Sequence, residues 1–142
     1  MAVYTKQVQI GKLSIGGGAP VVIQSMLNRP AADIAGNVEQ ARALEAAGCE
    51  MIRAAVPTMQ DVPLITALKA AVRVPIIADI HFDYRIALAC VDAGVDKIRI
   101  NPGNIGSDDK VRAVAEKCKE AGLPIRIGVN SGSVEKHILQ KY

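Results

Sequence analysis

The sequence has few aromatic residues: its 142 residues include one Phe, three Tyr and no Trp. Half of the residues are nevertheless hydrophobic, so the core must be built from aliphatic side chains. An aliphatic core favours helices packed on a sheet over an aromatic-rich β-sandwich. A chain of this length is one domain's worth and can bury a sizeable core.

Paired cysteines are also lacking. Cys49, Cys90 and Cys118 are far apart in the sequence, and none belongs to a Cys-x-x-Cys pattern. This spacing argues against a disulfide framework and a self-contained metal site, and it favours a reducing cytosol. We predict that the three residues are small, buried apolar side chains.

Long apolar runs and strong charge are absent as well. No stretch approaches the roughly 18 apolar residues of a membrane span, and residues 1–6 lack the apolar run of a secretory signal. The net charge of +3 is mild, and no run of Lys and Arg with interleaved aromatics indicates a nucleic-acid groove. We therefore predict a soluble, cytoplasmic protein that binds neither membranes nor nucleic acids.

Strand and helix patterns alternate along the chain. Residues 7–15 alternate polar and apolar around Gly11-Lys12, which predicts a small β-hairpin. Core strands are predicted at Val21–Met26, Met51–Val56, Pro75–Ile80, Lys97–Asn101 and Pro124–Val129, with helices that start near Asp33, Asp61, Asp83, Ser107 and Ser133. This order predicts an α/β fold with a parallel sheet, either a (β/α)8 TIM-type barrel or an open flavodoxin-like sheet.

Strict alternation along the five strands places an unusually polar set of residues on one face of the sheet. That set is Gln24, Met26, Arg53, Asp79, His81, Lys97, Arg99, Asn101, Arg126 and Asn130. The other face is apolar and is predicted to pack on helices: Ile23, Ile52, Ala54, Ile76, Ala78, Ile80, Ile98, Ile100, Ile125, Ile127 and Val129. An open sheet would bury both faces, at high cost for the polar one, so the pattern favours a barrel of which about five strands are present.

The cations of this inner face indicate an anionic ligand. Planar guanidinium groups suit phosphate oxygens, and several converging ones suit a diphosphate. Alternatively, each arginine pairs with a barrel carboxylate, and Asp79 could serve one of them. One carboxylate cannot neutralise Arg53, Arg99 and Arg126 together, so we predict a phosphorylated ligand.

Three further features leave alternatives open. Asp79 and His81 could act in proton transfer or positioning, whereas a metal would need more ligands than these two. The segment from Asn101 to Ser107 could grip a phosphate through backbone amides, or it is a turn followed by a helix cap. His137 lies among charged residues and is predicted to be a solvated surface residue.

Two long runs are specific motifs, Ala78–Leu88 (ADIHFDYRIAL) and Arg99–Gly106 (RINPGNIG). Shorter matching segments are Ile23–Met26, Arg53 through Val56–Met59, and Ile125–Asn130 with Gly132-Ser133. With these motifs the sequence resembles the 4-hydroxy-3-methylbut-2-enyl diphosphate synthases of the non-mevalonate isoprenoid pathway. The resemblance extends from the hairpin to the last predicted helix.

The resemblance implies an oxidoreductase in which a barrel precedes a domain that holds a [4Fe-4S] cluster. Such enzymes convert 2-C-methyl-D-erythritol 2,4-cyclodiphosphate to 4-hydroxy-3-methylbut-2-enyl diphosphate. Their electrons come from flavodoxin or ferredoxin, and they act as homodimers. The resemblance also implies that Arg53, Arg99 and Arg126 hold the diphosphate, with His81, Asn101 and Asn130 nearby.

The resemblance does not extend to the cluster. The family's cluster ligands are three cysteines and a glutamate, and none of the three cysteines of this chain matches them. We therefore expect a hairpin and lead-in at residues 1–19, a substrate-binding partial barrel at residues 20–142 and no iron-sulfur domain, so that the chain alone binds no cluster and is inactive. One alternative is a stand-alone phosphate-ligand-binding α/β module without redox activity. Another is a different diphosphate-handling barrel enzyme such as a pteroate synthase, whose signature loops are not visible.

Overall fold

The structure, a computed structural model, describes residues 4–141. Its strands are β1 (Val8–Ile10), β2 (Leu13–Ile15), β3 (Gln24–Met26), β4 (Met51–Ala55), β5 (Ile76–Ile80), β6 (Lys97–Ile100) and β7 (Ile125–Ile127). Its α-helices are α1 (Ile34–Ala46), α2 (Pro63–Ala71), α3 (Tyr84–Asp92), α4 (Pro102–Ile105), α5 (Asp108–Glu120) and α6 (Lys136–Leu139). Single 3-10 turns occur at Met59–Asp61 and Ser131–Ser133.

The main sheet is parallel and has the order β3-β4-β5-β6-β7. The first two strands pair separately as an antiparallel hairpin. This arrangement confirms the predicted α/β fold of alternating strands and helices, with five barrel-type strands preceded by a small hairpin. Between residues 4 and 141, no helix is both long and apolar enough to cross a membrane.

Helices α1 and α3 each begin at an aspartate that caps the first turn. The carboxylate of Asp33 accepts a hydrogen bond from the Gly36 amide at 3.0 Å at the start of α1, and Asp83 accepts one from the Arg85 amide at 2.9 Å at the start of α3. These bonds satisfy backbone donors that a first helical turn leaves unpaired. The helices pack on the outer face of the sheet, whose core members include Ile52, Ala54, Ile76, Ala78, Ile80, Ile98 and Ile100.

The hairpin covers the amino-terminal end of the inner face. Ile10 at its turn is fully buried in a small apolar cluster with Met51 of β4 and Ile77 of β5. Gly11 provides the turn with a positive φ of 55°, a conformation that favours glycine. On β4 and β5 the inner face is therefore apolar at the amino-terminal end, under the hairpin, and polar towards the carboxyl end.

Three residues predicted to pack against helices are instead exposed: Ile23, Ile127 and Val129. They lie at β3 and β7, which each pair with only one other strand in the five-stranded sheet. The helices pack over the middle of the sheet, so the outer side chains at its two edges stay open to solvent. The first core strand is also shorter than predicted, because Val21–Ile23 lies outside β3.

The helices differ from the prediction in two segments. The predicted loop from Asn101 to Ser107 contains the one-turn helix α4, because Asn101 caps it and Pro102 occupies its first position. The last predicted helix is divided into the 3-10 turn Ser131–Ser133 and the short helix α6. His137 is exposed on α6 with its Nδ1 atom 3.1 Å from a carboxylate oxygen of Glu135.

Candidate anion-binding site

Asp79 lies at the centre of the polar inner face, on the middle strand β5, and is only 1% exposed. Its Oδ2 atom accepts hydrogen bonds from Arg53, from Nε at 3.0 Å and also from Nη2. Its Oδ1 atom accepts one from Nη1 of Arg99 at 3.1 Å. The carboxylate therefore bridges two guanidinium groups from the strands on either side of it.

The strand register explains why these residues meet. Asp79 lies opposite Arg99 of β6, and Arg99 lies opposite Arg126 of β7. Arg53 is two residues lower in the register, opposite Ile77, and its long side chain reaches up to Asp79. Alternation along each strand thus brings the three predicted arginines to one region of one face.

The arrangement leaves the site positively charged. Asp79 serves two arginines, rather than the single one considered in the pairing alternative. Arg126 is exposed, and no carboxylate between residues 4 and 141 pairs with it. Two paired arginines, one unpaired arginine and one carboxylate give a net charge of +2, which favours an anion at this face.

His81 lies at the carboxyl end of β5, above Asp79. Its Nε2 atom is 3.6 Å from Oδ2 of Asp79, and its side chain is partly exposed. This separation is longer than a hydrogen bond. Both oxygens of Asp79 already accept hydrogen bonds from arginines. The geometry of Asp79 therefore suits the positioning of arginine side chains better than proton transfer with His81. No group of three His, Cys, Asp or Glu residues within the described part of the chain could hold a metal ion.

Asn101 joins two parts of the site instead of projecting freely into it. It is buried; its Oδ1 atom accepts a hydrogen bond from the Gly103 amide at 3.1 Å, and its Nδ2 atom donates to Ser133 Oγ at 2.7 Å. Ser133 Oγ also accepts a hydrogen bond from the backbone amide of exposed Asn130 at 3.0 Å. Asn101 therefore caps α4 within the segment that was predicted as a turn, and Ser133 is a supporting residue that the sequence reasoning missed.

Gly128 is a second residue that the sequence reasoning missed. A Cβ atom at this position would overlap Nε and Nη2 of Arg99. The Gly128 amide donates to the carbonyl of Ile100 at 2.9 Å, which fixes the backbone there. Because it has no side chain, Gly128 lets the Arg99 guanidinium lie against the strand end and reach Asp79.

Lys97 is the lysine among the inner-face cations from which the sequence predicts an anionic ligand. It precedes Arg99 by two residues on β6 and is only 6% exposed. Burial lowers the pKa of its ammonium group, and the charge of Arg126 lowers that pKa further.

The three cysteines do not fit the ligand set of an iron-sulfur cluster. All are buried, as predicted, and belong to the apolar core under the helices. Burial raises the pKa of the Cys90 thiol to about 12 and also raises the pKa of Cys118. Cluster ligands are thiolates gathered around one point, whereas these side chains are buried members of the apolar core.

Comparison with known proteins decides the family. The family described as the GcpE TIM-barrel domain matches residues 5–142. The chain belongs to this family. This result confirms the resemblance stated from the sequence motifs and the barrel-type fold.

Curated relatives of the GcpE domain are similar over nearly the whole chain. The chain is 54% identical over 138 residues to 4-hydroxy-3-methylbut-2-en-1-yl diphosphate synthase (flavodoxin) of Caldicellulosiruptor saccharolyticus, a match covering 97% of this chain and 40% of that protein. The protein of the same name from Acidithiobacillus ferrooxidans is 53% identical, with 97% and 38% covered. The chain thus spans about 40% of the length of these relatives.

Solved structures similar to this GcpE domain include pteroate synthases. Dihydropteroate synthase from Xanthomonas albilineans in complex with 7,8-dihydropteroate has a TM-score of 0.68 at 12% identity, covering 96% of this chain and 55% of that one. The Yersinia pestis dihydropteroate synthase has a TM-score of 0.66 at 15% identity, with 95% and 51% covered. At such low identity the likeness shows a shared fold and carries no function.

Proposed function

We propose that this GcpE domain is the substrate-binding part of a 4-hydroxy-3-methylbut-2-en-1-yl diphosphate synthase. In this proposal its inner face holds the diphosphate of 2-C-methyl-D-erythritol 2,4-cyclodiphosphate. The observation that carries the proposal is the bridge of Asp79 between Arg53 and Arg99, with Arg126 next to Arg99 in the register. The similarity of the chain to synthases of that name supports the same substrate.

The inner-face residues have different tasks in this proposal. Asp79 fixes Arg53 and Arg99, so these guanidinium groups lose little side-chain freedom when the diphosphate binds. Each guanidinium has more donors than Asp79 uses, and the remaining ones are available to phosphate oxygens. Arg126 has no carboxylate partner within residues 4–141 and contributes an uncompensated charge.

Side chains at the carboxyl ends of the strands complete the proposed pocket. His81 follows the central strand, where its partly exposed ring can contact the carbon skeleton of the ligand. Asn101 and Ser133 hold the turn that carries Asn130. We assign positioning to Asp79 and ligand contact to His81 and Asn130.

The reductive half of the proposed reaction requires groups beyond those described here. The [4Fe-4S] cluster supplies electrons when bound, and we place its ligands outside this chain because the three buried thiols do not fit it. The relatives' name contains "(flavodoxin)", which supports flavodoxin as reductant, with ferredoxin as its substitute. We further propose a cytoplasmic homodimer in which residues 1–19 form the hairpin and lead-in and residues 20–142 the partial barrel.

The binding role can be tested by calorimetric titration of the chain with the cyclic diphosphate. Arg126→Ala is expected to weaken binding at least about tenfold, because it removes charge-assisted hydrogen bonds. Arg112→Ala removes the same charge from exposed α5 and is expected to change affinity less than about twofold. Equal effects of the two substitutions, or no binding by the unchanged chain, would contradict the proposal.

The alternative is a stand-alone phosphate-ligand-binding α/β module without redox activity. Both roles include diphosphate binding, so reduction separates them. The polypeptide encoded by the complete gene, purified without oxygen and supplied with reduced flavodoxin, is expected to absorb broadly in the visible range and to form the linear diphosphate. A colourless product of the gene that binds the ligand without converting it would establish the alternative.

A further inference from the structure

Within residues 4–141, Lys97 is a largely buried residue whose ammonium group has no hydrogen-bond or ion-pair partner. Its side chain is almost completely removed from solvent, with 6% of the residue exposed. Among residues 4–141, no group accepts a hydrogen bond from its Nζ atom, and no carboxylate oxygen lies within 4.0 Å of that atom. Other lysines of the described chain show the contrast, since Lys69 pairs with Asp96 at 2.7 Å and Lys117 with Asp92 at 2.6 Å.

Lys97 lines a cavity beside the inner face that has a volume of about 670 Å³. The cavity lies between strands β6 and β7 and the lead-in that follows the hairpin. Arg126 contributes the second cation of its wall, and Gln24 contributes a side-chain amide. Met51, Val22 and Ile15 give it an apolar floor. A cavity of this make-up suits a ligand with an anionic group.

The nearby carboxylate cannot neutralise these two cations. Both oxygens of Asp79 are already bonded to Arg53 and Arg99. The side chain of Lys97 is largely buried without a counter-charge, and burial and the charge of Arg126 both lower the pKa of its ammonium group. An anion in the cavity would supply the missing counter-charge of Lys97 and would offset its repulsion by Arg126, because it attracts both cations.

We propose that Lys97 and Arg126 together bind one phosphate group of the ligand in this cavity, which makes Lys97 a substrate-binding residue. The inference rests on the diphosphate-binding function proposed above. Lys97 and Arg99 are two residues apart on one strand, a separation of roughly 6.6 Å between Cα atoms. Their long side chains can therefore approach the two phosphate groups of one diphosphate. Lys97 approaches from the amino-terminal end of the strands and Arg99 from the carboxyl end.

Titration of the chain with inorganic pyrophosphate tests the inference. Lys97→Met keeps the length of the side chain and removes its charge, and it is expected to weaken pyrophosphate binding at least about tenfold. The control, Lys119→Met, removes a lysine from the exposed side of α5 and is expected to change the affinity less than about twofold. Inorganic phosphate serves as a second ligand, and the unchanged chain is expected to bind it more weakly than pyrophosphate.

The outcomes separate this inference from the proposed function. If Lys97→Met leaves pyrophosphate affinity unchanged while Arg126→Ala lowers it, only the proposed role of Lys97 is overturned. No pyrophosphate binding by the unchanged chain overturns both. Equal affinity for phosphate and pyrophosphate reduces the site to a general phosphate site and overturns the two-phosphate arrangement.

A second measurement uses the chain without substitutions, so a folding defect of Lys97→Met cannot affect its result. The nuclear magnetic resonance signal of the Lys97 ε-methylene group is expected to shift on addition of pyrophosphate, while that of Lys119 stays in place. An unmoved Lys97 signal at a pyrophosphate concentration that saturates binding overturns the inference.

Discussion

At the scale of single residues, Asp79 organises the candidate site. It is the one carboxylate of the predicted polar inner face, and it bonds to arginines from both neighbouring strands. Its burial shields these bonds from water, while Arg53 and Arg99 remain 20% and 16% exposed at their side chains. Asp79 therefore stabilises two cations that a ligand can still reach.

Asp79→Asn is expected to lower the free energy of unfolding by about 1 to 3 kcal/mol, because two partly buried guanidinium groups lose their counter-charge. Urea denaturation followed by circular dichroism measures this change. Asp92→Asn breaks an exposed pair with Lys117 and is expected to cost less than about 1 kcal/mol. If the two variants are equally stable, the bridge does not have the role assigned to it.

Gly128 is predicted to act on Arg99 rather than on the fold. In Gly128→Ala the new methyl group meets the flexible end of the Arg99 side chain, so the guanidinium is displaced. Diphosphate affinity is expected to fall about tenfold or more, with a change in unfolding free energy below about 1 kcal/mol. Gly132→Ala is the control, because a Cβ atom there meets nothing within 4 Å. Unchanged affinity in Gly128→Ala would refute this role.

At the scale of elements, each strand of the sheet has two different ends on the inner face. Near the base, Met51 and Ile77 pack under the hairpin residue Ile10. Towards the carboxyl ends, the same strands carry Arg53 and Asp79. The hairpin thus closes the apolar end of the face and leaves the polar end open for a ligand.

Ile10→Ala tests the contribution of the hairpin. Ile10 is fully buried between the hairpin and the sheet, so the substitution leaves a cavity and is expected to lower the unfolding free energy by about 2 to 5 kcal/mol. Val8→Ala, at the exposed start of the same strand, is expected to cost about 0.5 kcal/mol. Thermal and urea denaturation of both variants give the comparison. Equal stabilities would show that the hairpin does not pack on the sheet as described.

Sequence periodicity predicted those features that depend on neighbours along the chain. Alternation placed Arg53, Asp79, Arg99 and Arg126 on one face, and the alternating strands and helices indicated the parallel sheet. The contact of Ser133 with Asn101 was not predictable in this way, because it joins residues 32 apart in the sequence.

The wrong burial predictions also arise from contacts between residues far apart in the sequence. Ile23 and Ile127 follow the apolar alternation of the outer face, yet they are exposed because they lie at the edges of the sheet. Periodicity reports which face a side chain occupies, but not which element covers that face. In the same way, the apolar base of the inner face depends on the hairpin folding back over Ile77.

At the scale of the whole molecule, the site lies on an incompletely enclosed face. The five strands form one parallel sheet, and β3 and β7 each lack a second neighbour in the described sheet. The chain spans about 40% of the curated synthase from Caldicellulosiruptor saccharolyticus. We therefore propose ligand binding for this chain and leave the proposed reduction to a longer polypeptide.

The central claim is that the polar inner face binds a diphosphate, and arginine side-chain nuclear magnetic resonance tests it most directly. The Nε–Hε signals of the chain would be assigned and followed during titration with 2-C-methyl-D-erythritol 2,4-cyclodiphosphate. The account predicts shifts of Arg53, Arg99 and Arg126, while Arg42, Arg73 and Arg112, which lie away from the inner face, remain unmoved. Shifts confined to the latter three, or no shift in any arginine at high ligand concentration, would contradict the account.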